Sequence, residues 1–226
     1  MRLLAIDTAL GACSAAILDT QGGIIASESL PMLRGHAEAL MPLIRRIMDE
    51  ASTAFRDLDR VVVTTGPGSF TGLRVGIAAA RGIALAIAKP AVGLSTLSAY
   101  AAPYLAGDDN APVVVAIDAR HAHVYLQVFA AGGRTVTGPR LAPLSEAVRA
   151  AAVAPARIVG SAAQPVADGL AVTDATPLHV DAAGAPNVDW VARMGAALPE
   201  GQSPPKPQYL RAPDAQPQNA AQLPRR

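Results

Sequence analysis

Leu3–Gly23 reads LLAIDTALGACSAAILDTQGG, and its pattern returns at Val113–Gly133 as VVVAIDARHAHVYLQVFAAGG. Each stretch opens with a short apolar run ending on an aspartate, Asp7 or Asp118, enters a second apolar run and closes on a glycine pair. Apolar runs of this length bounded by turn residues read as buried strands, and Gly-Gly between strand-like segments favours a hairpin. Leu3–Asp7 with Cys13–Leu18, and Val113–Asp118 with Val124–Phe129, are therefore predicted as two matching strand pairs. The match points to a duplicated fold; two unrelated hairpins with similar openings is the other reading.

Outward from the first pair, Ile24–Ser29 reads as a third strand. In His36–Ala51, the residues Leu40, Leu43, Ile44, Ile47, Met48 and Ala51 make one stripe of a helix, and Pro42 is tolerable there if it falls in the first turn. Val61–Thr65 is a β-branched strand, GPGSFTG (66–72) a tight loop, Leu73–Ala88 a helix and Ala91–Leu94 a strand. Ser95 or Thr96 can cap a third helix running to about Leu105. The order over residues 1–106 is β-β-β-α-β-α-β-α. Residues 107–198 read as a reduced copy: after Gly132-Gly133 come a helix at Ser145–Ala152, a strand at Ile158–Gly160, a helix at Ala163–Leu170 and a strand at Leu178–Val180. A last helix, Asn187–Leu198, is anchored by Trp190 and is free to pack back on the first half. In residues 199–226 proline and glutamine dominate, which predicts a docked extended segment around Tyr209-Leu210 and then a disordered basic end.

Hydrophobic residues make up 51% of the 226 and charged residues 16%, which excludes a mostly disordered chain. A net charge of +1 excludes a nonspecific nucleic-acid coat while leaving room for a local basic face. The single Cys13 excludes an internal disulfide framework and a Cys-rich zinc module, and fits a reducing cytosol. Asp7 comes too early for a signal-peptide apolar region. Gly72–Ala88, the longest apolar stretch, is interrupted by Arg74 and Arg81 and is no membrane span. A soluble cytoplasmic protein is expected.

GPGSFTG follows a strand and opens a helix, where free amides and the helix dipole favour an anion. Gly66 and Gly68 allow close backbone approach, and Ser69 or Thr71 could cap. A phosphate or carboxylate site is one reading and a tight structural turn the other. The glycine spacing misses the dinucleotide fingerprint, and no Gly-Lys-Ser/Thr exists, so a P-loop is excluded. The next helix carries Gly72, Gly76 and Ala80 at four-residue intervals, a track that lets another helix come close. With the Leu40–Met48 stripe it offers two faces, either buried in their own domain or shared with a second protein.

Asp7, next to Thr8, and Asp118 would face each other across the cleft of a duplicated fold, where two carboxylates could hold hydrated Mg²⁺ beside a nucleotide. The alternative is that each satisfies hairpin backbone groups, and ARHAH after Asp118 lacks the glycines to wrap a phosphate. His36 has no second histidine one turn on, since position 40 is Leu40, and no metal site is predicted. His121 and His123 share a strand face without an acid cluster. Ser14, Ser69 and Ser161 lack the Gly-x-Ser-x-Gly context of a hydrolase. Arg74, Arg81, Lys206, Arg211, Arg225 and Arg226 allow at most a weak, salt-sensitive RNA contact, with solvated, locally paired arginines as the plainer account.

In order and spacing, DTALGACSAAIL, HAEALMPLI, VVVTTGPGSFTGLRVGIAAARGIALA, GLSTLSAYA, DARHAHVY and PQYLR resemble the bacterial TsaB proteins from Met1 to about Arg211. The resemblance implies an actin-like, Hsp70-like ATPase fold of two related α/β subdomains. It further implies a noncatalytic partner of TsaD, which transfers a threonylcarbamoyl group to the adenosine next to the anticodon of tRNAs, with TsaE as a third, ATPase component. Catalytic relatives carry an H-x-x-x-H metal pair on the first long helix, which Leu40 breaks here, and their phosphate loops are richer in glycine. Ala9 stands where relatives often have Ser, and His121 where Arg is common. Relatives use the His36–Ala51 and Ser69–Ala88 helices to pair with TsaD or with themselves. From periodicity, His36, Leu40, Leu43, Ile44, Ile47, Gly72, Leu73, Gly76 and Ala80 are expected at that partner or homodimer interface. Asp7, Thr8, Gly66, Gly68, Ser69 and Asp118 would form a vestigial nucleotide site. No cofactor is expected of the chain itself, a nucleotide weakly held or shared at the complex interface being the exception. A free-standing actin-fold ATPase or metallopeptidase-like enzyme is the alternative, and tRNA is expected to touch the chain only weakly or through its partner.

Overall fold

The computed structural model describes residues 1–107, 111–199 and 204–211. The elements run β1 (Arg2–Asp7), β2 (Ala12–Asp19), β3 (Gly23–Pro31), α1 (His36–Glu50), β4 (Arg60–Thr64), α2 (Phe70–Ala86), β5 (Ala91–Leu94) and α3 (Thr96–Leu105). They continue with β6 (Val113–Asp118), β7 (His123–Phe129), β8 (Thr135–Pro143), α4 (Leu144–Ala152), β9 (Arg157–Val159), α5 (Ala163–Leu170), β10 (His179–Asp181) and α6 (Val188–Ala197). The disordered basic end expected beyond Arg211 lies outside the described residues.

Two five-stranded sheets form, ordered β3-β2-β1-β4-β5 and β8-β7-β6-β9-β10. In each, the first three strands are antiparallel and the last two join in parallel. This is a duplicated α/β architecture, two related mixed sheets with helices, as the repeat in the sequence predicts. The second copy is reduced in strand length rather than strand number: β9 and β10 hold three residues each, against five and four in β4 and β5. Its third strand, β8, has no counterpart in the sequence-based expectation. Thr135–Pro143 is largely exposed and lies at a sheet edge; its β-branched start, Thr135-Val136-Thr137, is cut short by Gly138-Pro139, and no apolar alternation runs through it. Pro42 also differs, sitting in the second turn of α1 instead of the first. It is exposed, so water can take up the carbonyl its ring leaves unpaired.

Strand periodicity explains the layers. Leu4, Ile6, Val61 and Val63 face α1 and α2 in one core, while Leu3, Ala5 and Val62 point to the opposite side and meet Val188, Val191 and Ala192 of α6. In the second sheet Val114 and Ala116 face α4 and α5, and Val113, Val115 and Ile117 meet Leu97, Tyr100 and Ala101 of α3. The third helix of each half thus covers the other half's sheet. α3 and α6 touch one another between the two sheets, giving five layers, α/β/α/β/α. Asn187 caps α6 by accepting the Asp189 amide at 2.8 Å, and Ser95 caps α3 through the Leu97 amide at 3.2 Å. No helix among the described residues is long and apolar enough to cross a membrane.

Candidate functional site

β1 delivers Asp7 fully buried to its carboxyl end, the edge at which open α/β sheets take their ligands. The Thr64 hydroxyl and, at 3.3 Å, the Ala9 amide donate to Asp7 Oδ1, while Oδ2 has no partner. Burial pushes this carboxyl up from 3.8 to about 6, against the opposing pull of those two donors and of His36. His36, itself buried, bonds the Leu10 carbonyl at 3.1 Å through Nε2 and so pins the β1–β2 turn. It is a turn anchor here.

The GPGSFTG loop is fitted to that turn. The Ser69 amide donates to the Ala9 carbonyl at 2.7 Å, and the Thr8 hydroxyl donates to the Gly72 carbonyl at 2.7 Å. A Cβ at Gly68 would stand 2.3 Å from Ala9 O, one at Gly72 2.1 Å from Thr8 O, and one at Gly76 2.4 Å from Thr8 Oγ1. The four-residue track therefore seats α2 on the chain's own β1–β2 turn. Where the sequence leaves a phosphate cradle and a structural turn open, the glycines at 68 and 72 have a structural reason, and the Ser69 amide is already engaged by the chain.

Asp118 is held differently. It is exposed, its amide donates to Ser161 Oγ at 3.0 Å, and its Oδ1 accepts the Arg120 amide at 2.9 Å. Arg120, His121 and Ala122 all take left-handed backbone conformations, with φ of 63°, 52° and 57°. Asp118 thus acts as the anchor of a strained hairpin turn. Among the described residues no three of His, Cys, Asp and Glu converge on a common metal position.

The nine residues expected at a partner interface point inward. His36, Leu40, Leu43, Ile44, Ile47, Gly72, Leu73, Gly76 and Ala80 are all buried, packed in the core beneath the first sheet or against the β1–β2 turn. The stripes are apolar faces, and the chain's own first sheet and β1–β2 turn cover them. The outward side of α2 carries a different row: Thr71, Val75, Ala78, Gly82 and Leu85, at helical spacing, exposed except for a half-buried Val75. A Cβ at Gly82 would meet nothing within 4 Å, so the chain's own packing does not ask for a small residue there.

One participant escapes the sequence reading, and the docked segment expected around Tyr209-Leu210 is found in place. Thr64 engages Asp7, and the Thr-Thr pair ending an all-valine strand was the available sign. Residues 204–211 lie against the same edge, where the Gln208 amide donates to the Thr65 carbonyl at 2.7 Å. Across the halves, Tyr100 and Tyr104 donate to the Ala183 carbonyl at 2.9 Å and to Asp181 Oδ2 at 2.6 Å, lining a groove of about 410 Å³. Burial raises both phenols, keeping them neutral donors.

The family model for TsaD, tRNA N6-adenosine threonylcarbamoyltransferase, matches residues 13–199. The tRNA threonylcarbamoyladenosine biosynthesis protein TsaB of Escherichia coli is 38% identical over 125 residues, 55% of this chain and 53% of that protein. The aligned part thus spans about half the length of that relative. An uncharacterized protein of Mycobacterium tuberculosis is 35% identical over 219 residues, covering 95% of this chain and 94% of its own. The solved structure of YeaZ from Pseudomonas aeruginosa superposes with a TM-score of 0.74 at 29% identity, over 92% of this chain and 99% of that one. The chain belongs to the family described by the threonylcarbamoyltransferase model and, within it, to the TsaB (YeaZ) branch.

Proposed function

We propose that this protein takes part in the biosynthesis of tRNA threonylcarbamoyladenosine, as a noncatalytic subunit that docks on a TsaD-type threonylcarbamoyltransferase through the outward faces of α1 and α2. The observation that carries this reading is the uncharged row Thr71, Val75, Ala78, Gly82 and Leu85, in which Leu85 is 84% exposed. Small residues in such a row let a second helix approach closely, and large exposed apolar side chains beside them mark association surfaces. Met41, 49% exposed, adds an apolar position on α1. Family membership supplies the partner class, and the same face serves a homodimer when that partner is absent. Leu40, in the core where catalytic relatives carry the second histidine of their metal pair, supports the noncatalytic part. TsaE enters this reading as the ATPase that works on the assembled pair, and tRNA meets the chain through the transferase in the cytosol.

The test is co-purification with the cognate TsaD after replacing Gly82 by Arg. An exposed Gly→Arg change in a helix favours the helix by up to about 1 kcal/mol, so the free protein should keep or gain stability. Association should fall by at least tenfold. Unchanged co-purification would remove α2 from the interface, and ATP hydrolysis by the isolated wild-type chain would favour a free-standing enzyme instead.

A further inference from the structure

The segment 204–211 runs along the carboxyl edge of the first sheet and ends on the second half. Its Pro205 is buried, and the Gln208 amide donates to the Thr65 carbonyl at 2.7 Å. The Tyr209 ring lies 5.3 Å from that of Phe70, and its hydroxyl accepts from Arg74 Nε at 3.2 Å; the Arg74 guanidinium in turn sits 3.7 Å over the Phe70 ring. Leu210, partly buried, packs against the core cluster between the second sheet and α3 that includes Leu97, Val115 and Ile117. Arg211 donates to the Ala119 carbonyl at 2.7 Å, at the start of the β6–β7 turn.

The receiving surface has room for a peptide at two points. A Cβ at Gly66 would stand 2.8 Å from the Gln208 carbonyl oxygen and 3.0 Å from Leu73 Cδ1, and one at Gly93 2.4 Å from Thr65 Cγ2 and 2.9 Å from the Pro205 Cα. At both glycines the segment, together with the Thr65 and Leu73 side chains, occupies the space a side chain would need. Pro204, Pro205 and Pro207 hold it extended before it docks, so little conformational entropy is lost on binding. The edge it covers is the one where open α/β sheets receive ligands.

We infer that the carboxyl edge formed by Thr65, Gly66 and Gly93 is a peptide-binding site. Its ligand is the chain's own proline-rich segment ending Gln208-Tyr209-Leu210-Arg211, and the bound segment straps the β6–β7 turn of the second half to the α2 loop of the first. This inference stands apart from the docking role of α2, because it concerns a contact within one chain.

Hydrogen exchange on the full-length protein tests it, comparing wild type with a Leu210→Ala, Arg211→Ala double variant. The Gln208 amide should be protected in the wild type and exchange at least about tenfold faster in the variant. The decisive reporters lie elsewhere in the sequence: the Ala119 and His123 amides of the β6–β7 turn, bonded to His123 and Arg120 carbonyls, should also exchange faster. A labelled peptide of residues 204–211 should bind the variant and not the wild type. An unprotected Gln208 amide in the wild type, unchanged exchange at Ala119 and His123, or a peptide that binds neither protein, would each overturn the inference.

Discussion

The side chain of Thr8 and the backbone of Gly72 are joined by a 2.7 Å hydrogen bond, and Gly76 lies one turn further along α2 with no room for a Cβ above Thr8 Oγ1. Helix and turn therefore form one unit, built from the first strand's end and the second helix's start. A Gly76→Val change must push α2 off the turn or displace the Thr8 hydroxyl from its bond. Overpacking of this kind costs about 1–3 kcal/mol, with the lost buried bond adding about 1 more. The midpoint of urea unfolding should drop accordingly, and Gly82→Val, with open space around it, should leave it within roughly 0.5 kcal/mol. Equal effects at the two glycines would refute the distinction drawn between them.

Asp7 gives stability a pH signature. Its carboxyl titrates near 6 when folded and near 3.8 in the unfolded chain, principally because burial disfavours the charge. The folded protein holds that proton more tightly, so this group's contribution falls as pH rises from about 4 to about 6 and is flat above. The loss is on the order of 2–3 kcal/mol. Asp7→Asn keeps an oxygen to accept from Thr64 and Ala9 and removes the charge. Subtracting the variant's unfolding free energy from that of the wild type at each pH isolates the group. The difference should move against the wild type between pH 4 and pH 6; a flat difference would show Asp7 ionising normally.

The duplication was readable because both halves open on a doubly buried strand, and such strands leave an uninterrupted apolar run ending where the chain turns. The stripe from Leu40 to Met48 was equally plain, since one side of α1 is covered and the other is wet. Periodicity says that a face is buried but not by what. The small-residue track of α2 was legible as close approach, while its partner, a turn some sixty residues earlier in the chain, has no local sign. The same limit hid the exchange of α3 and α6 between the sheets: Leu97 and Val191 each mark an apolar face, and nothing nearby in sequence says which sheet it meets. β8 escaped for the opposite reason, being an exposed edge whose pairing with β7 comes from backbone bonds. At the candidate site Asp7 stood out as an acid closing an apolar strand. The different fates of Asp7 and Asp118 depend on burial, which arises only when the turn, α2 and Thr64 assemble around the first of them.

Arg60 fastens α6 to the first half, which makes the exchanged helix testable. Its guanidinium is buried and donates to the Gly195 and Leu198 carbonyls, both at 2.7 Å. Those carbonyls end α6, where four acceptors lack intrahelical partners and the helix dipole favours a cation. Arg60→Met keeps much of the stem volume but leaves both carbonyls without their charged donor, at a cost of about 3 kcal/mol. The damage should be local before it is global, because α6 meets the first sheet mainly through Val188, Val191 and Ala192. Exchange of α6 amides should accelerate in the variant at denaturant concentrations where β1 and β4 remain protected. Arg60→Lys, one compact charge in place of a planar fork, should recover only part of the loss. If α6 and β1 instead lost protection together, the helix would be an inseparable part of the first core, and its exchange between the halves would have no independent stability to measure.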